Sequence, residues 1–198
     1  MGLMNFFLRK QKSSIIFLHE AHLKFEAERF IRSGWGFECF LSGVETNKNS
    51  VAVLFNNTFE YKVLNVVRDP NGCFILMDVE IFFKRITLVN VYGPSIADKP
   101  DLFDRLSQEI EHMGNQLIIA GGDWNVLLNM NMDARNYKSV NRPRAGRKII
   151  EMMELVDVWR EVYLEKRGYT WRKFNTTKQG RLDYFLISEE LIPSNSWN

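Results

Sequence analysis

Asp123 and Asn125 stand two residues apart, directly after Gly121 and Gly122. A carboxylate in such a place can align or deprotonate a water, and an amide beside it can donate to a phosphate oxygen. The run before them, Leu117-Ile118-Ile119-Ala120, is short, apolar and preceded by polar Asn115 and Gln116, which reads as a strand buried on both faces. The glycines allow a sharp turn where that strand ends, so Asp123 and Asn125 fall at the rim of a sheet. The same residues also suit an Asx turn that closes a strand, and this stretch alone leaves both readings open.

Three other polar residues hold comparable positions. Glu20 follows the strand Ser14–Leu18 and is flanked by His19 and His22. Histidines around a glutamate suggest a transition-metal site, but a single carboxylate holding a hard cation such as Mg²⁺ suits the pattern better, because magnesium keeps most of its waters. The plain alternative for Glu20 is a surface charge opening a helix whose apolar face includes Leu23, Ala27, Phe30 and Ile31. Tyr92 ends the strand Arg85–Tyr92 just before Gly93-Pro94, placed either to hydrogen-bond a phosphate or to bury its ring with a wet tip. Asp183 sits within the strand Arg181–Ser188.

The elements that must position these residues alternate between helices and strands. A short helix is expected to end within Met1–Gln11. Strands are expected at Phe37–Leu41, Ser50–Phe55, Tyr61–Val67, Cys73–Phe83 and Arg85–Tyr92, rich in Val, Ile, Phe and Tyr and joined as antiparallel hairpins by turns such as Asp69-Pro70-Asn71-Gly72. Leu102, Phe103, Leu106, Ile110 and Met113 recur at helical spacing over Asp101–Met113, and a second helix is expected over Gly146–Tyr163. Between these helices, Asp133–Pro143 reads as a loop. Arg135 to Lys148 holds six Arg or Lys residues and no acid, a cluster that is either solvated or tracks a nucleic-acid backbone through Arg142 and Arg144. Thr170 and Trp171 lie in an aromatic and basic stretch of the kind that grips nucleic acid, although Trp171 also suits plain packing.

Composition narrows the class. At 198 residues, with 45% hydrophobic and 25% charged content, the chain suits one soluble globular domain spanning 1–198. A net charge of +2 does not by itself argue for nucleic acid. Cys39 and Cys73 show no metal-type spacing and read as reduced thiols of an intracellular protein, nuclear or cytoplasmic. No apolar run reaches the roughly 18 residues of a membrane span, and Arg9, Lys10 and Lys12 interrupt any secretory pattern.

Taken together and in order, Phe17-Leu18-His19-Glu20, Tyr92-Gly93-Pro94, Gly121-Gly122-Asp123-Trp124-Asn125, Tyr169-Thr170-Trp171 and Arg181-Leu182-Asp183-Tyr184 resemble the endonuclease/exonuclease/phosphatase superfamily. Within it the chain is most similar to the apurinic-type endonuclease domain of non-LTR (LINE-type) retrotransposons. The resemblance implies an α/β (α+β) fold of DNase I-like type, with two mixed sheets packed as a β-sandwich and flanked by helices. It implies cleavage of one strand of double-stranded DNA, beside a reverse transcriptase domain in a parent polyprotein, with Mg²⁺ or Mn²⁺ as cofactor. By matching position Glu20 would hold the metal, Asp123 would activate water, Asn125 and Tyr92 would contact the phosphate, and Asp183 would orient a histidine. Ala21 stands where the family has Thr, His19 where it has Gln, and Ser95 where an Asn often follows. The family's first strand with its Asn and its last with Ser-Asp-His are expected to be lacking, which would leave Asp183 without its histidine and nicking weak or absent. Three alternatives remain: a non-catalytic remnant that binds DNA or protein, a repair-type apurinic endonuclease, and a phosphoinositide phosphatase or deadenylase.

Overall fold

The computed structural model describes residues 13–45, 49–93, 101–137 and 154–192. In chain order the elements are β1 (Ile15–His19), α1 (Ala27–Trp35), β2 (Cys39–Gly43), β3 (Ser50–Phe55), β4 (Tyr61–Arg68), β5 (Phe74–Ile81), β6 (Lys84–Tyr92), α2 (Leu102–Met113) and β7 (Ile118–Asp123). There follow α3 (Met130–Asp133), β8 (Ala134–Arg135), β9 (Leu155–Asp157), α4 (Val158–Val162), β10 (Trp171–Arg172), β11 (Gln179–Gly180), β12 (Asp183–Ser188) and a 3₁₀ turn at Glu189–Leu191.

Two sheets face each other. One has three strands in the order β1-β3-β2, and the other six in the order β4-β5-β6-β7-β12-β9. Among the described residues the larger is mixed, through its parallel β6–β7 pair, and the smaller pairs antiparallel, unlike the two mixed sheets expected. All six residues of β3 are buried, because both of its faces are covered. Val51, Val53 and Phe55 meet Ile75, Met77, Val79 and Leu88 between the sheets. Ala52 and Leu54 point the other way, onto Ile31 and Trp35 of α1. On the far side of the larger sheet, Leu102, Phe103, Leu106 and Ile110 of α2 close a third core around Leu76, Val89 and Trp124. The layers are thus helix, sheet, sheet, helix. A small third sheet, β10-β11-β8, stands apart.

Several boundaries differ from those the sequence suggests, each for a local reason. The strand expected over Cys73–Phe83 stops at Ile81, since Phe82 and Phe83 form the hairpin turn with φ of 50° and 63°. The helix expected over Gly146–Tyr163 is, where described, a strand and then a short helix: Glu154 has φ 51°, and the Asp157 carboxylate accepts the Arg160 N–H to start α4 afresh. Phe30 is 65% exposed, so the apolar stripe of α1 is Ala27, Ile31 and Trp35, with Leu23 packed on the same core. The expected Asp133–Pro143 loop begins with the end of α3 and with β8. The helix end in Met1–Gln11, Ser95 and the basic residues Arg142 and Arg144 lie outside the described residues.

Candidate active site

The strand register builds the site. Tyr92 at the end of β6 pairs with Asp123 at the end of β7. Asp123 pairs in turn with Asp183 at the start of β12. Paired residues on neighbouring strands share a face, so three chemically active side chains form one row across the sheet end. β1 of the opposite sheet brings two more to this row. Tyr92 OH donates to Glu20 Oε1 at 3.2 Å, and His19 Nε2 lies 3.3 Å from Asp183 Oδ1. Glu20, Tyr92, Asp123 and Asp183, separated by up to 163 positions, therefore meet at one end of the sandwich.

Local sequence explains how the row closes. A Cβ on Gly122 would lie 1.9 Å from the Val91 carbonyl oxygen, and its φ is 136°, so only glycine allows β7 to run this close to β6. A Cβ on Gly121 would strike the rings of Phe185 and Phe17. After Asp123 the chain turns through Asn125, whose φ is 51° and whose N–H donates to Asp123 Oδ1 at 2.9 Å. The Asx turn and the converging carboxylate are thus the same structure. Glu20 and His22 also have φ of 51°. Non-glycine residues in this left-handed region are uncommon and concentrate at functional sites. The loop after Glu20 is tethered to β3 by Ala21 N–H to Ser50 O and Leu23 N–H to Ser50 Oγ.

Electrostatics follow from this crowding. Burial pushes the Asp123 carboxyl up to about 6; the Asn125 N–H opposes that rise, and the charges of Asp183 and Glu20 add to it. Burial and the adjacent Glu20 carboxylate hold the Tyr92 phenol up at about 12, so it keeps its proton. No Lys or Arg among the described residues pairs with Glu20, Asp123 or Asp183. The described residues contain no ready-made cage of three or more His, Cys, Asp or Glu side chains. Magnesium does not need one: it keeps several waters and takes one or two carboxylates. A row of carboxylates that meets no Lys or Arg among the described residues, with the exposed Glu20 at its rim, suits a hard cation of this kind.

The sequence leaves Asp183 without a histidine partner, but in the structure His19 supplies one across the sandwich. The Thr170 hydroxyl oxygen accepts the N–H groups of Leu182 and Asp183 at 3.0 and 3.2 Å, fixing the start of β12. Trp171 is 37% exposed and lies 6.3 Å from the Tyr137 ring. Sequence reasoning missed Asn90. It is fully buried one pleat below Tyr92, and its amide donates to Leu18 O at 2.8 Å and Ala52 O at 2.9 Å, locking β1 to the larger sheet. An asparagine amid the apolar run of β6 was the available signal. A cavity of about 630 Å³ borders the site at His19, Gly122, Thr170 and Asp183, with aromatic walls that include Phe17, Trp159 and Tyr163.

The fold recurs in known proteins. The structure superposes on the Xenopus laevis APE2 catalytic domain with a TM-score of 0.75 at 16% identity, covering 96% of this chain and 78% of that one. It matches the AP endonuclease LMAP of Leishmania major with a TM-score of 0.73 at 15% identity, covering 95% and 73%. The chain has the endonuclease/exonuclease/phosphatase fold. Another protein of this fold, the 3′ phosphatase NExo from Neisseria bound to a product DNA hairpin, matches with a TM-score of 0.70 at 19% identity, covering 95% and 81%. No family model matches the sequence. In sequence the chain is similar to the transposon TX1 uncharacterized 149 kDa protein of Xenopus laevis, 29% identical over 195 residues. That alignment takes in 94% of this chain but spans only 14% of the transposon protein's length. Among the described residues no helix is long and apolar enough to cross a membrane.

Proposed function

We propose that this chain is the DNA-nicking endonuclease domain of a transposon-derived polyprotein, hydrolysing one phosphodiester of duplex DNA with the aid of a divalent cation. One observation carries the reading: Tyr92, Asp123 and Asp183 form a single row that Glu20 meets from the opposite sheet. Glu20 would hold Mg²⁺, with Mn²⁺ as a substitute, and a bound ion of this kind offsets the charge that develops on phosphate oxygens. Asp123, with its carboxyl pushed up to about 6, is placed to take a proton from water near neutral pH. Asn125 and the protonated Tyr92 are the donors available to the phosphate. Trp171, Thr170 and the basic residues Arg142 and Arg144 would hold the duplex, the last two by its backbone rather than its bases. The TX1 likeness supports a transposon polyprotein setting, in which a reverse transcriptase would use the 3′ hydroxyl so exposed.

The test is nicking of supercoiled plasmid in Mg²⁺ by the purified chain. We expect slow, EDTA-sensitive nicking that Asp123→Ala and Glu20→Ala each lower by ~10²–10⁴-fold, with the fold unchanged by circular dichroism. Replacing Arg142 and Arg144 together should flatten the log–log salt dependence of duplex binding by roughly 0.9 for each phosphate no longer neutralised. Duplex binding with no metal-dependent nicking at any enzyme concentration would favour the non-catalytic remnant instead.

A further inference from the structure

We propose that His19 is a positioning residue for Asp183, a role that rests on the nuclease reading of this site. Asp183 and Asp123 are directly paired across β12 and β7, and like charges directly opposite each other on a sheet destabilise it. Something must fix the Asp183 carboxylate against that repulsion. Thr170 holds the backbone N–H of Asp183, not its carboxylate. Among the described residues the carboxylate's side-chain partner is His19, through Nε2 at 3.3 Å.

This contact is built in rather than incidental. Phe17 and Phe185 lie two residues from His19 and Asp183 on the same faces of β1 and β12, and their rings meet at 5.6 Å. The aromatic pair therefore sets the registration of β1 against β12 across the sandwich, and the His19–Asp183 pair is its next rung. Gly121 leaves the space for both rings. Histidine suits the role chemically. Its ring nitrogen reaches the Asp183 carboxylate from the far end of a flat, rigid side chain. Its Nδ1 is buried and has no hydrogen-bond partner among the described residues. His19 acts through Asp183.

Two measurements on the full chain separate this inference from the nuclease reading. The first needs no activity. In long-range ¹⁵N–¹H correlation spectra, Asp183→Ala should move the His19 Nε2 resonance away from its wild-type position. An unchanged His19 Nε2 resonance in Asp183→Ala overturns the proposal even if the chain nicks DNA. The second reads kinetics. His19→Ala should lower kcat by ~10–100-fold, as loss of a supporting hydrogen bond at a metal site does, with little change in KM. His19→Gln, which keeps an N–H donor, should recover most of the loss. In an Asp183→Asn background His19→Ala should cost nothing further. Fully multiplicative losses, or a His19→Gln variant as impaired as His19→Ala while melting like wild type, overturn it. If wild type fails to nick, the nuclease reading falls and the resonance result still decides whether His19 positions Asp183.

Discussion

In the cluster around Asp133 every carboxylate meets a guanidinium, whereas at the strand ends Glu20, Asp123 and Asp183 meet none among the described residues. Asp133 is wholly buried and accepts from Arg181 Nε at 2.9 Å, Arg160 Nη2 at 2.7 Å and the Asn129 N–H at 3.0 Å. Arg181, 3% exposed, also forks onto both oxygens of Asp157. Burial opposes its charge, but the two carboxylates hold it well above its usual range. The two clusters lie close in sequence, since Arg181 and Asp183 belong to one Arg-Leu-Asp-Tyr motif. The motif divides its labour between the two clusters. Arg181 ties β12 to α3 and β9, and the Tyr184 hydroxyl lies 2.5 Å from Arg181 O and 2.9 Å from Val126 O. Asp183 alone faces the row. The carboxylates of one cluster are neutralised by guanidinium groups, whereas those of the other meet none among the described residues.

The largest effect is expected at Asp133. Asp133→Ala would strip a carboxylate from two arginines, and breaking a buried pair from one side costs about 3–5 kcal/mol. Urea unfolding should show that loss, or the protein should fail to accumulate folded. A loss below about 1 kcal/mol would mean that the cluster is not structural. Gly122→Ala comes next. Its φ of 136° and the 1.9 Å approach to Val91 O force β7 away from β6, and backbone strain of this kind costs about 1–3 kcal/mol. Because Tyr92 and Asp123 are paired there, nicking should fall further than stability does. Equal stability and rate to wild type would show that the close approach is not needed.

How much of this is legible in sequence depends on how far apart the cause and its effect lie. The apolar runs ending in Glu20, Tyr92 and Asp123 are local signals, and the β3 expected from sequence, Ser50–Phe55, matches to the residue. The Gly-Gly pair announces a tight turn, though not that one glycine clears Val91 O and the other the Phe17 and Phe185 rings. The His19–Asp183 contact spans the sandwich and depends on the stagger between two sheets, which no spacing encodes. Asn90 reads as one polar residue in an apolar strand until Leu18 O and Ala52 O are found against its amide. The strand–helix switch at Asp157 hides inside an unbroken apolar pattern, because the break is made by one capping carboxylate. Two-residue strands such as β10 and β11 carry no periodicity to read.

Asp123→Asn gives the smallest effect and the sharpest contrast between the clusters. The folded-state value of Asp123, about 6, exceeds the ordinary 3.8. The folded protein therefore binds this proton more tightly than the unfolded chain does. Stability from this group is fully present below about 3.8 and declines as pH rises toward and through about 6. Asparagine keeps the side-chain oxygen that accepts the Asn125 N–H and removes the charge facing Asp183 and Glu20. In EDTA the variant should match wild type near pH 4 and exceed it at pH 7.5, by on the order of 1–2 kcal/mol after discounting for partial exposure. Saturating Mg²⁺ should shrink the gap, since a cation at the row relieves the same repulsion and stabilises wild type by mass action. Thermal melts of both proteins across pH, with and without Mg²⁺, measure this directly. A variant less stable than wild type at pH 7.5 in EDTA would mean that Asp123 is held by favourable contacts, as Asp133 is, and that the row of acids is a second structural cluster rather than an open site.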